Sequence, residues 1–308
     1  MNPQIEFKHV LGELSVNRND PCEVVRELIS NSYDAGASKI FYAPIKDHQG
    51  IIFLDNGSGL DHIKKSNGIT PWQAFFSIGK STKKKGESIG YKCQGSKLCF
   101  ACTRILVATA TDWEKGDWNF KIIDNPRNNL DVKYDISPSP SNNIESIVDS
   151  FFQAASADTT LSISNLKKQL KYSGRKTGTL IIIDNLDTEN YGKYFSVGTK
   201  PDESYIVNYI KFYTRHGDVR ELTENQGFNA SQRIQIAKNI NRAKVTILAG
   251  KKIHEIPFGY PFLETPKNTD PAPKSPSGVA RLRDGRFYSR GAKNFSLNNE
   301  SLFNNISN

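Results

Sequence analysis

The stretch from Glu23 to Asp34 constrains the fold more than any other part of this sequence. Its apolar residues recur at helical spacing and predict an amphipathic helix with one buried stripe. Glu27, Asn31 and Asp34 fall one helical turn apart in succession, so they share a second, polar face. That face is either a solvated surface or a row of ligands, and the stretch alone leaves both interpretations open.

The residues that flank this stretch predict where the helix begins and ends. Asn19 and Asp20 are candidates for the N-terminal cap, and the proline that follows is favourable in a first helical turn. Gly36 is a natural C-terminal cap, because glycine adopts the left-handed backbone conformation without steric cost. The helix is therefore expected to stop at Gly36.

Two apolar runs predict buried strands near the same site. Gly50 to Leu54 is expected to form a strand that places Asp55 at its tip. Gly57 and Gly59 follow, and they let the backbone turn sharply and approach a flat ligand closely. Gly178 to Asp184 is the most apolar run of the chain, which predicts a strand at the centre of the sheet.

The remaining pattern favours an α+β fold with antiparallel strands. Short turns join the strands predicted at 105–110, 119–123 and 130–136, and connections this short imply antiparallel pairing. Further strands are predicted at 38–44 and 244–248. Helices are predicted at 71–76, 97–101, 144–154 and 204–215, while 161–170 has no decisive pattern.

A segment rich in lysine and glycine runs from His62 to Gly95. This composition is typical of a mobile segment that closes over phosphates, and equally of a solvated loop. Within it, Gly79-Lys80-Ser81 imitates the end of a P-loop. The first glycine of that motif would have to stand where the chain has Ala74, so no Walker A site is expected.

Composition places the chain among ordinary soluble globular proteins. Its 308 residues, 37% of them hydrophobic, are enough for a full core and a second domain. A formal net charge of +9 favours an anionic partner such as nucleotide or DNA. No apolar run approaches the ~20 residues of a membrane span, and the first residues resemble no signal peptide, so a cytoplasmic location without membrane is expected.

Four cysteines suit a reducing compartment better than a disulfide framework. Cys93, Cys99 and Cys102 lie close together in sequence, and with Cys22 they offer four sulfurs for zinc. Such sites usually lie on turns, whereas residues 98–102 have the pattern of an apolar helix. Buried structural thiols are therefore favoured over a metal site.

Four motifs, in this order, resemble the nucleotide site of the GHKL ATPases. That superfamily includes gyrase B, the ninety-kilodalton heat-shock chaperone, MutL, histidine kinases and the MORC proteins. The motifs cover about residues 20–190, and the segment 77–83 is most similar to the MORC and chaperone side of the superfamily. They are Glu27-Leu-Ile-Ser-Asn31-Ser-Tyr-Asp34-Ala35, Asp55-Asn-Gly57-Ser-Gly59, Ile89-Gly90-Tyr-Lys-Cys-Gln-Gly95-Ser-Lys97 and Gly178-Thr179.

The resemblance implies a Bergerat fold and a division of the chain. In this α+β fold, a two-layer sandwich, a mixed and mostly antiparallel sheet carries helices on one face, and a lid covers the nucleotide. Residues 1–190 are expected to form the ATP-binding domain. Residues 191–308 are expected to form a C-terminal extension that could begin a transducer-like domain.

The resemblance also implies a role for each motif. Glu27 would take a proton from the attacking water, and Asn31 would offer a neutral oxygen to Mg²⁺. Asp55 would accept the amino group of adenine, helped by a water held by Thr179. Asp34 would support the adenine end of the pocket. The other expected nucleotide contacts are Gly57, Gly59, Lys80, Ser81, Thr82, Lys83, Gly90, Gly95 and Lys97.

One departure from the motif concerns the lid. Cys93 stands where relatives have a middle glycine, and cysteine adopts a positive φ only at a cost. The resemblance therefore leaves open which backbone amides of the lid touch phosphate.

Two functions remain open at this point. The first is Mg²⁺-dependent ATP binding with slow hydrolysis, which drives lid closure and dimerisation and is coupled to a DNA or protein client. The second is a nucleotide-switched binding module with little hydrolysis. Glu27 favours hydrolysis over phosphorelay, because histidine kinases carry no such base and His9 is the only histidine upstream. The basic tract at 281–293 is either a nucleic-acid contact or an exposed loop.

Overall fold

A computed structural model of the chain describes residues 20–77, 82, 95–126, 135–152, 155–171, 176–214, 216 and 243–256, and the backbone alone of 281–283 and 286–288. The strands are β1 (Lys39–Ile45), β2 (Gly50–Asp55), β3 (Cys102–Asp112), β4 (Asp117–Asp124), β5 (Ser139–Ser141), β6 (Gly178–Leu186), β7 (Lys244–Ala249), β8 (Lys252–Ile256), β9 (Arg281–Arg283) and β10 (Arg286–Tyr288). The helices are α1 (Glu23–Asp34), α2 (Pro71–Phe76), α3 (Ile144–Phe151), α4 (Ala157–Leu170), α5 (Tyr191–Phe195) and α6 (Tyr205–Tyr213), with 3₁₀ helices at Gly95–Phe100 and Pro201–Glu203.

The first eight strands form one sheet in the order β5-β4-β3-β6-β2-β1-β7-β8. Neighbouring strands are antiparallel except β1 and β7, which run parallel. The α+β class and the mixed, mostly antiparallel sheet are confirmed. The most apolar run is confirmed as a central strand, because β6 lies between β3 and β2.

Helices cover both faces of this sheet, which differs from the expected arrangement with helices on one face. Alternate residues of β2 point to opposite sides, and every residue of the strand is buried. One side packs with α1, α2, α5 and α6, and the other packs with α3 and α4. The central strands are apolar on both faces, so both faces need a covering layer.

The ends of α1 follow from its flanking residues. At the start, the N-cap is Cys22, which makes no side-chain cap bond, so the predicted cap at Asp20 is wrong and Asn19 lies outside the described residues. The Asp20 carboxylate instead accepts a hydrogen bond from the backbone N–H of Cys22 at 2.8 Å. At the end, Gly36 has φ +65°, and its N–H and that of Ala37 donate to carbonyls in the last turn at 3.0 Å. This is the Schellman arrangement, and it confirms Gly36 as the residue that stops the helix.

Three local expectations need correction. The helix predicted at 97–101 is a 3₁₀ helix that begins earlier, at Gly95. The strand predicted at 130–136 is wrong over 135–136, which are irregular, and the edge strand that pairs with β4 is instead β5, at 139–141; residues 130–134 lie outside the described ranges. The basic tract contains a backbone hairpin, β9–β10.

The chain after residue 190 contributes to the same sheet and core. β7 pairs with β1, and residues of α5, α6 and β7 belong to the core cluster that contains the apolar stripe of α1. The domain boundary at 190 stays a prediction. Within the described ranges, each helix is either too short or too polar to cross a bilayer.

The second helical layer predicts a cost for truncating its core. Leu166 on α4 is fully buried, so Leu166→Ala should lower the free energy of unfolding by about 2–5 kcal/mol, as cavity-forming substitutions do. Chemical denaturation measures this loss. Ser164→Ala, at an exposed position of the same helix, is the control, and equal stability of the two variants would contradict the packing of α4 on the sheet.

Candidate functional site

Helix α1 presents its polar face beside the tip of β2. Glu27 is 18% exposed, and its Oε1 pairs with the Arg26 guanidinium at 2.6 Å. Arg26 also pairs with Glu23, whose Oε1 accepts a hydrogen bond from the Tyr209 hydroxyl at 3.0 Å. The carboxylate of Glu27 is therefore held at the edge of a network of charged and polar groups that joins α1 to α6.

Gly95 lies directly against Glu27. A β-carbon at position 95 would overlap the Glu27 carboxylate, so a larger residue there would displace the Glu27 side chain from its present position. The contact brings the end of the third motif onto the first, although the two are far apart in sequence. The 3₁₀ helix that starts at Gly95 thus packs on α1 beside the candidate base.

Asp55 is a buried carboxylate at the junction of α1 and the sheet. Its side chain accepts hydrogen bonds from the Ser32 hydroxyl at 2.9 Å and from the N–H of Gly57 at 2.8 Å. Burial raises the pKa of Asp55 from 3.8 to about 6, against these hydrogen bonds, which lower it. The Thr179 backbone also lowers the pKa by hydrogen bonding, so burial outweighs three hydrogen bonds at the predicted adenine ligand.

The glycine turn after Asp55 packs on the end of α1. A β-carbon at Gly57 would stand 2.8 Å from that of Ala35, and the N–H of Ser58 donates to the Ala35 carbonyl at 2.9 Å. Gly59 has φ +73°, the left-handed region that favours glycine. The turn therefore depends on glycine at both positions.

The start of β6 completes this end of the site. Thr179 is buried in β6. Its register partners are Asp55 on the neighbouring strand β2 and Thr109 on the other neighbour, β3. A β-carbon at Gly178 would overlap the Trp113 ring and the Asp55 carbonyl. The second and fourth motifs are therefore side by side, as their predicted shared function requires.

The Lys97 side chain is bonded to groups at the end of α2 and beside it in the chain. Its buried Nζ donates to the Phe75 carbonyl and to the Ser96 hydroxyl at 3.0 Å, and it lies 5.8 Å and 5.6 Å from the ring centroids of Phe75 and Phe100. The carbonyls at the C-terminal end of α2 attract a positive charge. In this structure, the ammonium group of Lys97, which was predicted to contact phosphate, is bound by protein groups instead.

The other predicted contacts are placed only in part. Asn31 and Asp34 are partly exposed on α1. Thr82 accepts a hydrogen bond at its carbonyl from the Ser66 hydroxyl at 3.4 Å. Four predicted residues lie outside the described part of the chain, namely Lys80, Ser81, Lys83 and Gly90.

Three buried polar residues of this region were not predicted as site residues, although two of them, Ser32 and Asn56, stand inside the motifs. Ser32 bonds Asp55, and Thr109 bonds the turn that follows it. The Asn56 amide oxygen accepts from the N–H groups of Ser38 and Lys39 at 2.9 Å and 2.8 Å, which fixes the tip of β2 to the start of β1. One signal was available, because Ser32 and Thr109 are hydroxyl residues at positions where the apolar pattern predicts burial.

The cysteines near the site are buried thiols. Burial raises the pKa of Cys22 and Cys102, and raises that of Cys99 to about 12, so all three stay protonated at neutral pH. The described residues contain no group of three or more His, Cys, Asp or Glu placed to hold a metal ion. Cys93, the fourth sulfur of the zinc alternative, lies outside the described ranges.

Comparison with known proteins relates the chain to nucleotide-binding enzymes. Residues 20–155 match the family model described as histidine kinase-, DNA gyrase B- and HSP90-like ATPase. The DNA mismatch repair protein MutL of Borreliella afzelii is 30% identical over 105 residues, which are 34% of this chain and 17% of that protein. This chain therefore corresponds to only a small part of that relative.

Two solved structures show a weaker similarity. The ATPase and transducer domains of DNA topoisomerase II from Balamuthia mandrillaris match with a TM-score of 0.35 and 16% identity, over 53% of this chain and 36% of that chain. The ATPase region of Saccharomyces cerevisiae topoisomerase II matches with a TM-score of 0.34 and 11% identity, over 54% of this chain and 36% of that chain.

The raised pKa of Asp55 predicts how stability depends on pH. The folded protein binds the proton of the Asp55 carboxyl more tightly than the unfolded chain does. The stabilisation of the fold by this proton is therefore full below pH 3.8 and is lost as pH rises through about 6. Relative to Asp55→Asn, the parent should lose on the order of 3 kcal/mol over that rise. Denaturant titrations from pH 4 to 7.5 measure the difference.

The control for this experiment is Asp117→Asn, at an exposed position on β4. It corrects for the general effect of removing a surface carboxylate. A stability difference between the parent and Asp55→Asn that stays constant over the pH range would show that Asp55 is not a raised, buried acid.

Proposed function

We propose that this chain binds ATP with Mg²⁺ between α1, the tip of β2 and the start of β6, and hydrolyses it slowly, as a member of the GHKL superfamily whose family model residues 20–155 match. The observation that carries the proposal is the hydrogen bond between Ser32 and Asp55. It joins the helix that bears the candidate base and metal ligand to the carboxylate that would recognise adenine.

Helix α1 would fix the distance between the two ends of the bound nucleotide. With a rise of about 1.5 Å per residue, Glu27 lies roughly 7.5 Å along the axis from Ser32, which contacts Asp55. The base of the nucleotide would lie at the Ser32 end, and its terminal phosphate at the Glu27 end. One rigid element would thus set the distance between recognition and chemistry.

Asp55 has the capacity to recognise adenine. An ionised carboxylate offers about four lone-pair sites, and Ser32, Gly57 and the Thr179 backbone take one each. A remaining site can accept the exocyclic amino group, a donor that guanine lacks at the corresponding position. Thr179, beside Asp55 in the sheet register, would hold a water at the same edge of the base.

Asn31 and Glu27 supply the groups that the reaction needs. An amide oxygen is a hard, neutral donor of the kind that Mg²⁺ accepts, so Asn31 fits as its protein ligand. The ion, when bound, neutralises charge on the phosphates, which is the main requirement of phosphoryl transfer. Glu27, one turn earlier on the helix, would accept the proton of the attacking water.

A nucleotide-switched binding module with little hydrolysis is the second candidate. It is favoured by the partners of two key side chains, since Glu27 is paired with Arg26 and Lys97 is bonded to the carbonyl of Phe75. In that case ATP would change the shape of the domain while hydrolysis remained incidental.

Lid closure, ATP-dependent dimerisation and a DNA or protein client remain part of the proposal. The net charge of +9 supports an anionic partner. The similarity to a mismatch repair protein supports a client that involves DNA, although that similarity spans 17% of the relative.

Replacing Glu27 tests its role as the base in ATP hydrolysis. Glu27→Gln keeps the size of the side chain but removes the proton acceptor, so phosphate release should fall by about 10²-fold or more while ATP affinity stays within a few-fold. A malachite-green assay and calorimetry measure the two quantities. Glu145→Gln on α3, which packs on the other face of the sheet, is the control. Equal background release from parent and Glu27→Gln, with ATP bound, would favour the binding module.

Adenine recognition should depend on pH in the opposite direction from stability, because ATP affinity should rise with pH where the stability from Asp55 falls. The contact needs ionised Asp55, so ATP affinity should fall up to tenfold for each pH unit below about 6. Purine riboside triphosphate carries the same phosphates without the amino group, and it corrects for phosphate titration. Identical pH profiles for the two nucleotides would place the amino group away from Asp55.

A further inference from the structure

We propose that Thr109 is a positioning residue for the base end of the nucleotide, acting through the turn after β2 and the first residues of β6. The inference rests on the proposed function and extends it to a strand that carries none of the four motifs. Its role is to keep the glycine turn and Thr179 at a fixed separation.

Thr109 is a buried hydroxyl within an apolar strand. It lies in β3, is 2% exposed, and stands between the apolar residues Ala108 and Ala110, themselves buried. Burying a hydroxyl is costly unless both its proton and its lone pairs find partners. Valine would fill the same volume and suits a strand equally well, so the partners of the hydroxyl are what distinguish threonine here.

Those partners lie on two different segments of the site. The Thr109 Oγ1 accepts a hydrogen bond from the N–H of Leu60 at 2.8 Å and donates one to the Gly178 carbonyl at 3.2 Å. Leu60 ends the glycine turn, and Gly178 precedes Thr179. A single hydroxyl therefore connects the two segments that would lie on either side of the base.

The turn is fitted closely around this hydroxyl. A β-carbon at Gly59 would stand 2.6 Å from Thr109 Oγ1, so the left-handed glycine lets the backbone approach it. A second hydrogen bond runs from the Thr177 hydroxyl to the Gly57 carbonyl at 2.8 Å. The Thr177 side chain is partly exposed, so water can replace its contact, whereas Thr109 is 2% exposed and its bond to the Gly178 carbonyl is buried.

The experiment compares Thr109→Val with Thr109→Ser, which keeps the hydroxyl. Calorimetry well below the unfolding temperature should show that Thr109→Val binds ATP and ADP about tenfold more weakly, and by the same factor, because the loss is at the base end. At saturating ATP its turnover should equal that of the parent. Thr109→Ser should restore the affinity to within about twofold.

Thr111→Val is the matched control on the same strand. The Thr111 hydroxyl donates to the Asp117 carbonyl at 3.2 Å, away from the turn, so this variant should bind ATP as the parent does. Amide hydrogen exchange reports the contact without any nucleotide, since protection of the Leu60 N–H should be lost in Thr109→Val and kept in Thr109→Ser.

The outcomes separate this inference from the proposed function. Parent-like ATP affinity in Thr109→Val would overturn the role of Thr109 while leaving the nucleotide site intact. An unequal loss for ATP and ADP, or a fall in turnover at saturation, would also overturn it, because the effect would then reach the phosphates. A parent that binds no ATP would overturn both, and the parent measurement alone reveals that case.

Discussion

The structure depends on one buried carboxylate, Asp55, which a hydroxyl on α1 and a backbone amide hold at the tip of β2. Burial raises the pKa of this group to about 6, so its negative charge opposes folding at neutral pH. The same charge is what a donor on a flat ligand requires. A carboxylate that is buried at a cost to stability is typical of functional sites, where groups with shifted pKa values are concentrated.

Around Asp55 and Glu27, the backbone of several glycines lies so close to neighbouring groups that an added β-carbon would overlap them. Gly57, Gly59 and Gly178 each leave room for a neighbouring segment, and Gly95 does the same for Glu27. These glycines are what allow two strands, a turn and two helices to meet within a small volume. The motif glycines thus have a structural reason in this chain that holds whether or not they also contact phosphate.

Much of this arrangement could be predicted because its signals are local. The apolar stripe of α1, its stop at Gly36 and the strand that ends at Asp55 each follow from residues close in sequence. The cover on the second face was missed because α4 buries Thr159, Ser162 and Asn165 beside its apolar residues, which blurs the helical pattern. The bonds from Ser32 to Asp55 and from Leu60 to Thr109 were missed because they join residues distant in sequence, and no spacing rule encodes such pairs.

The parallel pairing of β1 with β7 has a consequence for how the chain must be handled. Lys39 is the register partner of Lys244, so β1, which closely follows α1, pairs with β7, a strand about 200 residues later in the chain. A polypeptide truncated shortly after β6 would leave the backbone groups of β1 without the β7 strand. Nearly all residues of β1 are buried here, so β1 would become an exposed, apolar edge strand. Self-association is the expected liability of such a fragment, because an exposed apolar strand edge pairs with other chains.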